Sequence, residues 1–517
     1  MKSVLHRYSG SQNNIKKQTQ ANIAASVLYQ LTAAVCSLIL PRYILLYFGS
    51  DVNGILQSVS QLLTYTVIME FGVGGLITAS FYKPLADRDY EAVSDIFNNA
   101  KRFFNRISFV YIGLAVAIVI FAKAIIKTDF DFWYVSSLAA ILGASYYFTY
   151  YFALAQRLLL RADQKIRIIQ GVQSITLIIN AVVCIAAMEL GARIHAVKGI
   201  SALVFLINPI VFWIYVKKHY PINTVVYDKN RTLPRKRDGM IHHIAFFIHM
   251  NTDVVLISMF LGTKEVSVYS VYNSVMYAIE SFFTTISDSV SAAFGALIAK
   301  GEKDALHSSF ELYQTVNTAA ATFVCIAEAV LIIPFVNVYT QGVTDANYIR
   351  PAFAYMMILA QWFYCMRIPY SNVINAAGHY RQTKFGAYVE AILNMGLSII
   401  AVIQYGLFGV ALGTAAAMAA RAIYMAWYLS KNILCRKLKL FIRDIVLNII
   451  FGVMLIAIIN NILHISADNL LVWAIYAAAV SMFVILAVAV FHLIVNRTTV
   501  VAAIKKYIKY KNNNFGG

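Results

Sequence analysis

"LRADQKIRIIQGVQSITLIIN" (residues 160–180) and "AAGHYRQTKFGAYVEAILN" (residues 376–394) are two versions of one pattern. Each has a short polar turn, basic residues, a glycine (Gly171, Gly386) and an asparagine eight or nine residues later (Asn180, Asn394), and the asparagines stand 214 positions apart. A second pair, "LYFGSDVNGI" (46–55) and "MFLGTKEVSV" (259–268), aligns Gly49 with Gly262 at an offset of 213. Two unrelated matches at one offset imply an internal duplication.

The duplicated material is apolar helix. The 517 residues are 60% hydrophobic and 13% charged, with a mean hydropathy of +0.67, more apolar surface than a soluble domain can bury. A membrane span needs about 20 mainly apolar residues. Fourteen stretches qualify, at about 23–47, 55–82, 106–126, 134–155, 168–190, 200–217, 241–263, 267–299, 312–335, 351–376, 385–404, 407–430, 444–464 and 470–495. The expected fold is an all-α polytopic membrane protein. The offset covers six spans, and because six is even the halves share an orientation, as in parallel-repeat transporters. The expected organisation is a cytoplasmic tail (1–22), a six-helix N-lobe (23–217), a basic cytoplasmic linker (218–240), a six-helix C-lobe (241–430), two further helices (431–495) and a basic tail (496–517), with a central cavity between the lobes.

Forty-three Lys and Arg against 24 Asp and Glu give a net charge of +19. In a soluble chain this would suggest nucleic acid; here it follows topology. With the N-terminus inside, 34 of the 43 basic residues fall in tails and cytoplasmic loops, six outside and three within spans. The positive-inside rule therefore places both termini in the cytoplasm, and no nucleic-acid partner is expected. The N-terminal "MKSVLHRYSGSQNNIKKQTQ" lacks the apolar core and cleavage site of a signal peptide. Cys36, Cys184, Cys325, Cys365 and Cys435 are scattered without ligand or disulfide spacing, so no metal is expected. "EAVSDIFNNAKRFFNRI" (91–107) has an apolar face at helical spacing and reads either as a helix lying on the inner leaflet or as the polar start of the third span.

"FGSDVNGILQSVSQLLTYTVIMEFGVGGLITASFYKPLADRD" (48–89) and "AAGHYRQTKFGAYVEAILNMGLSIIAVIQYGLFGVALGTAAAMAARAIYMAWYLSKNIL" (376–434) resemble the Wzx-type polysaccharide or oligosaccharide flippases of the MATE/MOP exporter superfamily. The resemblance runs from about residue 20 to 495 as family texture rather than a catalytic signature. It implies two six-helix lobes alternating between inward-open and outward-open states in a bacterial plasma membrane. It also implies an undecaprenyl-pyrophosphate-linked oligosaccharide as cargo, moved from the inner to the outer leaflet for surface polysaccharide synthesis. Polymerase machinery is a partner class consistent with that role, with the last two helices as a docking surface.

Three arginines lie within spans. Arg42 in "CSLILPRYILLYFG" (36–49) is roughly 8 Å from the outer end of the first span by helical rise. It either snorkels to the outer headgroups or faces the cavity as a counter-charge to diphosphate, while Pro41 bends the helix. Arg367 and Arg421 fall near the centres of spans ten and twelve, too deep to snorkel; Pro369 beside Arg367 predicts a kinked or broken helix, and "GTAAAMAA" (413–420) before Arg421 permits close helix approach. Glu390, about 6 Å in depth from Arg421, is a candidate structural partner. Otherwise the arginines are candidate ligands for phosphate, which a guanidinium fork binds through paired hydrogen bonds.

Glu70, Asp253, Glu280 and Asp288 also lie near midspan. They are candidates for pairing with the arginines, for coupling to protons or sodium, or for binding a cationic drug. Asp253, four residues after His249, is the strongest coupling candidate, since the two share a helix face. The same residues keep open a second function, a cation-coupled MATE-type multidrug exporter. An enzyme is not expected: the longest outside loop, "NVYTQGVTDANYIR" (337–350), is short, no Ser/His/Asp arrangement occurs, and the D-x-D of "TDFDFW" (128–133) lies in a short outside loop.

Overall fold

The structure, a computed structural model, describes residues 2–65, 73–223, 251–463, 467–497, 499 and 501, and within them the chain is all helix. In order the helices are α1 (Lys2–Thr64), α2 (Val73–Asp87), α3 (Tyr90–Ile125), α4 (Phe132–Tyr151), α5 (Leu154–Ala162), α6 (Ile166–Glu189), α7 (Ile194–Phe205) and α8 (Ile207–His219). The series continues with α9 (Asn251–Phe260), α10 (Thr263–Lys300), α11 (Lys303–Tyr339), α12 (Pro351–Ala376), α13 (Tyr380–Tyr405), α14 (Leu407–Asn432), α15 (Lys439–Ile462) and α16 (Leu470–Val495). Nine helical segments among the described residues are long and apolar enough to cross a membrane, so the chain is a multi-pass membrane protein.

The α1 backbone leaves helical angles at Gly49 (φ 80°, ψ 176°), a region that glycine alone enters without a Cβ clash, and Pro41 lies within the helix. Residues 91–107 are the start of the third span: α3 is continuous from Tyr90, with the Asp89 carboxylate accepting from Ala92 N at 3.0 Å. Its apolar stripe, Val93, Phe97, Ala100 and Phe104, is buried against Ile77, Phe81, Leu159 and Phe212 instead of meeting lipid.

Packing divides the chain into two units, Met1–Phe247 with Leu261–Ser267, and Ile248–Phe260 with Val268–Gly517. In the first, the Gly262 turn packs beside the Gly49 turn. Thr263 Oγ1 donates to Asp51 Oδ1 at 2.6 Å, and Asn53 Nδ2 donates to Ser267 Oγ at 2.8 Å. In the second, α11 is the central helix, packed on α12, α15 and α16. Ile326, Val330 and Leu331 of α11 meet Leu455 and Ile459 of α15 and Val480 and Val484 of α16, while Trp473 Nε1 donates to the Leu331 carbonyl at 3.2 Å.

The duplication is written into the backbone. Positive φ recurs at Gly49 (80°) and Gly262 (99°), Arg88 (57°) and Gly301 (70°), Gln164 (54°) and Gly378 (72°), and Gly191 (79°) and Gly406 (58°), at offsets of 213, 213, 214 and 215. The last three pairs each terminate matching helices with a left-handed residue, the common way to stop a helix and satisfy its last carbonyls. In two of them the first copy uses a residue with a Cβ, at a cost of roughly 1–2 kcal/mol. Gln164→Gly should therefore stabilise the protein by up to about 1 kcal/mol, and Gly378→Val should destabilise it by at least as much. Thermal unfolding in detergent reads both shifts, and equal melting temperatures for the two variants would refute the assignment.

Candidate substrate and ion site

Arg367 sits inside α12, which runs unbroken through Pro369. The helix is not broken there, and the carbonyl that the proline leaves without a helical donor, that of Cys365, accepts from Asn317 Nδ2 of α11 at 2.9 Å. Arg367 points into the unit, only 7% exposed. Its guanidinium lies 4.7 Å from the Tyr364 ring centroid, and its Nη1 donates to Glu390 Oε1 at 2.5 Å.

Glu390 of α13 is shared. Its other oxygen, Oε2, lies 3.3 Å from Arg421 Nε of α14, and Arg421 Nη1 also donates to the Thr383 carbonyl at 3.3 Å. The structure thus brings Arg367, Glu390 and Arg421 into one buried triad, with Glu390 4% exposed and Arg421 7%. Close approach of α13 and α14 makes this possible: a Cβ on Gly386 would stand 2.3 Å from the Tyr424 ring and 2.6 Å from Arg421 Nη1. Arg421 also lines a groove of about 480 Å³ with Phe385, Gly386, Val389, Tyr424 and Trp427. The triad carries one positive charge more than it neutralises. A somewhat larger cavity, about 510 Å³, lies in the first unit with Lys101 and Trp213 on its walls and contains none of the candidate residues.

The first repeat shows what the triad replaces. At offsets of 214 and 213, Thr176 stands for Glu390 and Asn208 for Arg421, and Thr176 Oγ1 donates to Asn208 Oδ1 at 3.0 Å. Arg367 has Ala153 as its counterpart, and Gly171, the counterpart of Gly386, has open space where a Cβ would be. A neutral hydrogen bond is enough to join these helices, so fold alone does not require the ions.

Asp253 of α9 forms a second polar group in the same unit. Thr414 Oγ1 stands 3.0 Å from Asp253 Oδ2, Tyr269 OH donates to the same oxygen at 3.4 Å, and Asn394 Nδ2 donates to Thr414 Oγ1 at 3.2 Å. Asp253 Oδ1 and Asn394 Oδ1 are buried without a hydrogen-bond donor. Clustered hard oxygens lacking donors suit a proton or a small monovalent cation. Among the described residues no group of three His, Cys, Asp or Glu side chains gathers to hold a metal.

The remaining candidates are dispersed. Glu280 of α10 lies within electrostatic reach of Arg367. Arg42 is half-buried on α1 in the first unit. Glu70, His249, the linker from residue 224 onward and the side chain of Asp288 lie outside the described residues. Sequence reasoning missed Glu328 of α11, 7% exposed, although a lone acid in "CIAEAVLII" (325–333) is the same signal that marked Glu280. It also missed Thr414 and Tyr269, whose hydroxyls carry no charge to betray them.

No protein-family model matches the chain, and no curated protein matches it in sequence. Solved structures do share its fold. A structure of the lipid II flippase MurJ in an inward closed conformation superposes with a TM-score of 0.68 at 15% identity, covering 93% of this chain and 99% of the other. An inward-facing multidrug resistance MATE transporter of the MOP superfamily gives 0.57 at 15% identity over 78% of this chain and 94% of the other. An outward-facing one gives 0.52 at 12% identity over 80% and 96%.

A buried carboxylate between two arginines has a testable asymmetry. Glu390→Gln leaves two guanidinium groups without their shared counter-ion and should cost about 3–5 kcal/mol. Arg421→Met leaves Glu390 paired with Arg367 and should cost clearly less. Thermal unfolding of both variants in detergent decides; a reversed order would mean that the triad does not bear on stability in this way.

Proposed function

We propose that this chain is a flippase that moves an undecaprenyl-pyrophosphate-linked oligosaccharide from the inner to the outer leaflet of a bacterial plasma membrane by alternating access, supplying surface polysaccharide synthesis, with both termini cytoplasmic. The observation that carries the reading is the Arg367–Glu390–Arg421 triad, in which two buried guanidinium groups share one bonded carboxylate, with Arg421 lining a groove. A buried guanidinium that the fold does not need is suited to an anionic headgroup, because it binds phosphate oxygens in pairs and stays charged at physiological pH. The groove walls around Arg421 are largely apolar, which fits the start of a polyprenyl chain beside its diphosphate.

The likeness to solved structures gives fold-level support. The lipid II flippase covers nearly the whole chain, while the multidrug transporters leave about a fifth of it unmatched. Movement of a large anion needs a driving ion, and Asp253 with Asn394 and Thr414 is the group we assign to coupling, by a proton or sodium. The same acidic group is the observation that favours the second reading, a cation-coupled multidrug exporter, in which Asp253 and Glu280 face a cationic drug.

Depletion of the protein in its own host separates the two. A flippase should leave lipid-linked glycan on the inner leaflet and strip polymer from the surface; unchanged glycan with altered drug tolerance would move the assignment to the exporter. Arg421→Ala should lower surface polymer about tenfold or more at equal amounts of folded protein, the loss expected for a charge-assisted phosphate contact, and Arg421→Lys should restore part of it. Asp253→Asn should remove the dependence of transport on the ion gradient while headgroup binding persists.

A further inference from the structure

Glu328 has no place in the transport scheme above. It lies in the buried stretch of α11, and both its oxygens are buried without a hydrogen bond of standard geometry. Opposite it on α12 is Gln361, 2% exposed, whose Nε2 and Oε1 are likewise unmatched. The two side chains interact, since Gln361 acts on the Glu328 carboxyl, but they stop short of closed hydrogen bonds.

Among the described residues, the other groups facing Glu328 offer no cation. Glu280 of α10 acts on it as a second negative charge, and Cys325 of its own helix and Cys365 of α12 lie within its reach. The helices on the remaining sides, α15 and α16, present Leu455, Ile459, Val480 and Val484 to this part of α11. Arg367 acts on Glu280 but is already bonded to Glu390. Across Glu280, Glu328 and Glu390 there are three carboxyl groups for the two guanidinium groups of Arg367 and Arg421, so one carboxyl has no counter-ion. A buried charge without a partner is the costliest arrangement available, and a bound proton removes it.

Hydrogen-bond chemistry identifies which carboxyl takes the proton. An ionised Glu328 only accepts, so it could engage Gln361 Nε2 and would leave Oε1 without a donor. A protonated Glu328 both donates and accepts, and it matches the amide atom for atom: its O–H to Oε1, its carbonyl oxygen from Nε2. We propose that Glu328 is a proton-binding site of the second unit, holding an exchangeable proton as a carboxylic acid paired with the Gln361 amide. Release would transfer the proton to water and leave the carboxylate. The inference does not depend on the cargo and is tested without it.

The test is infrared spectroscopy of the purified full chain in lipid nanodiscs at neutral pH, in H₂O and D₂O, for wild type and Glu328→Gln. A carboxylic-acid C=O band that shifts in D₂O and falls by the intensity of one carboxyl group in the variant is the expected result. The amide reproduces the donor and acceptor of the protonated acid, so Glu328→Gln should keep the wild-type melting temperature while Glu328→Ala lowers it. A band unchanged in Glu328→Gln would overturn the proposal. So would loss of the wild-type band when sodium replaces choline at constant pH, which would make the site one for a metal cation. A Glu328→Gln protein that fails to fold would also count against it, because a neutral mimic of a neutral group has no reason to unfold the chain.

Discussion

A charge placed in hydrocarbon must find its opposite within the protein, and in the second unit that demand converges on Glu390. One carboxylate divides its two oxygens between Arg367 and Arg421, on the helices either side of its own in the chain. Three consecutive membrane helices are thereby tied at midspan by a contact that is weak evidence for stability when intact and very costly when broken. The close packing around it follows. Gly386 brings α13 against Tyr424 and the Arg421 guanidinium, and the aromatic faces of Tyr364 and Tyr424 cover the two cations.

The duplicated half of the chain supplies an internal control. Helix ends recur at nearly constant offset, down to the left-handed residue that stops each one, so the two repeats solve the same topological problem. They differ in what crosses between the matching helices. Thr176 and Asn208 make a neutral hydrogen bond where Glu390 and Arg421 make an ion pair, and Ala153 stands where Arg367 does. Desolvating three ions to do the work of one hydrogen bond is thermodynamically unrewarding. The second repeat thus carries intramembrane ions that joining the matching helices does not explain.

Much of this was legible before any coordinates. Hydropathy located the spans because a membrane helix must be continuous and apolar, and the Gly49–Gly262 and Asn180–Asn394 matches found the repeat because glycine at positive φ and a buried asparagine are hard to replace. The midspan positions of Arg367 and Arg421 were read from depth alone. What the sequence hid was partnership. Nothing in "MRIPYSN" (366–372) says that Asn317, nearly 50 residues earlier, will cap the carbonyl that Pro369 frees within α12. Nor does local sequence say that Glu390 reaches two arginines instead of one. The amphipathic stretch at 91–107 left two readings open for a different reason: apolar periodicity reports that a face is covered, and lipid and protein cover it equally well.

The acidic and basic groups of the second unit share a scaffold. On α13, Glu390 and Asn394 are four residues apart, and on α14, Thr414 and Arg421 are seven apart, so both pairs lie on common helix faces about 6 and 10 Å apart along their axes. One end of this hairpin surface carries the triad; the other carries the hydroxyl and amide that meet Asp253. Just past the Asp253 end the two helices touch closely, since a Cβ on Gly413 would stand 2.2 Å from Ser398 Oγ. The Asp253 end and the Arg421 end therefore belong to one packed hairpin, about 10 Å apart along α14, so no relay of intermediate side chains is needed to connect them.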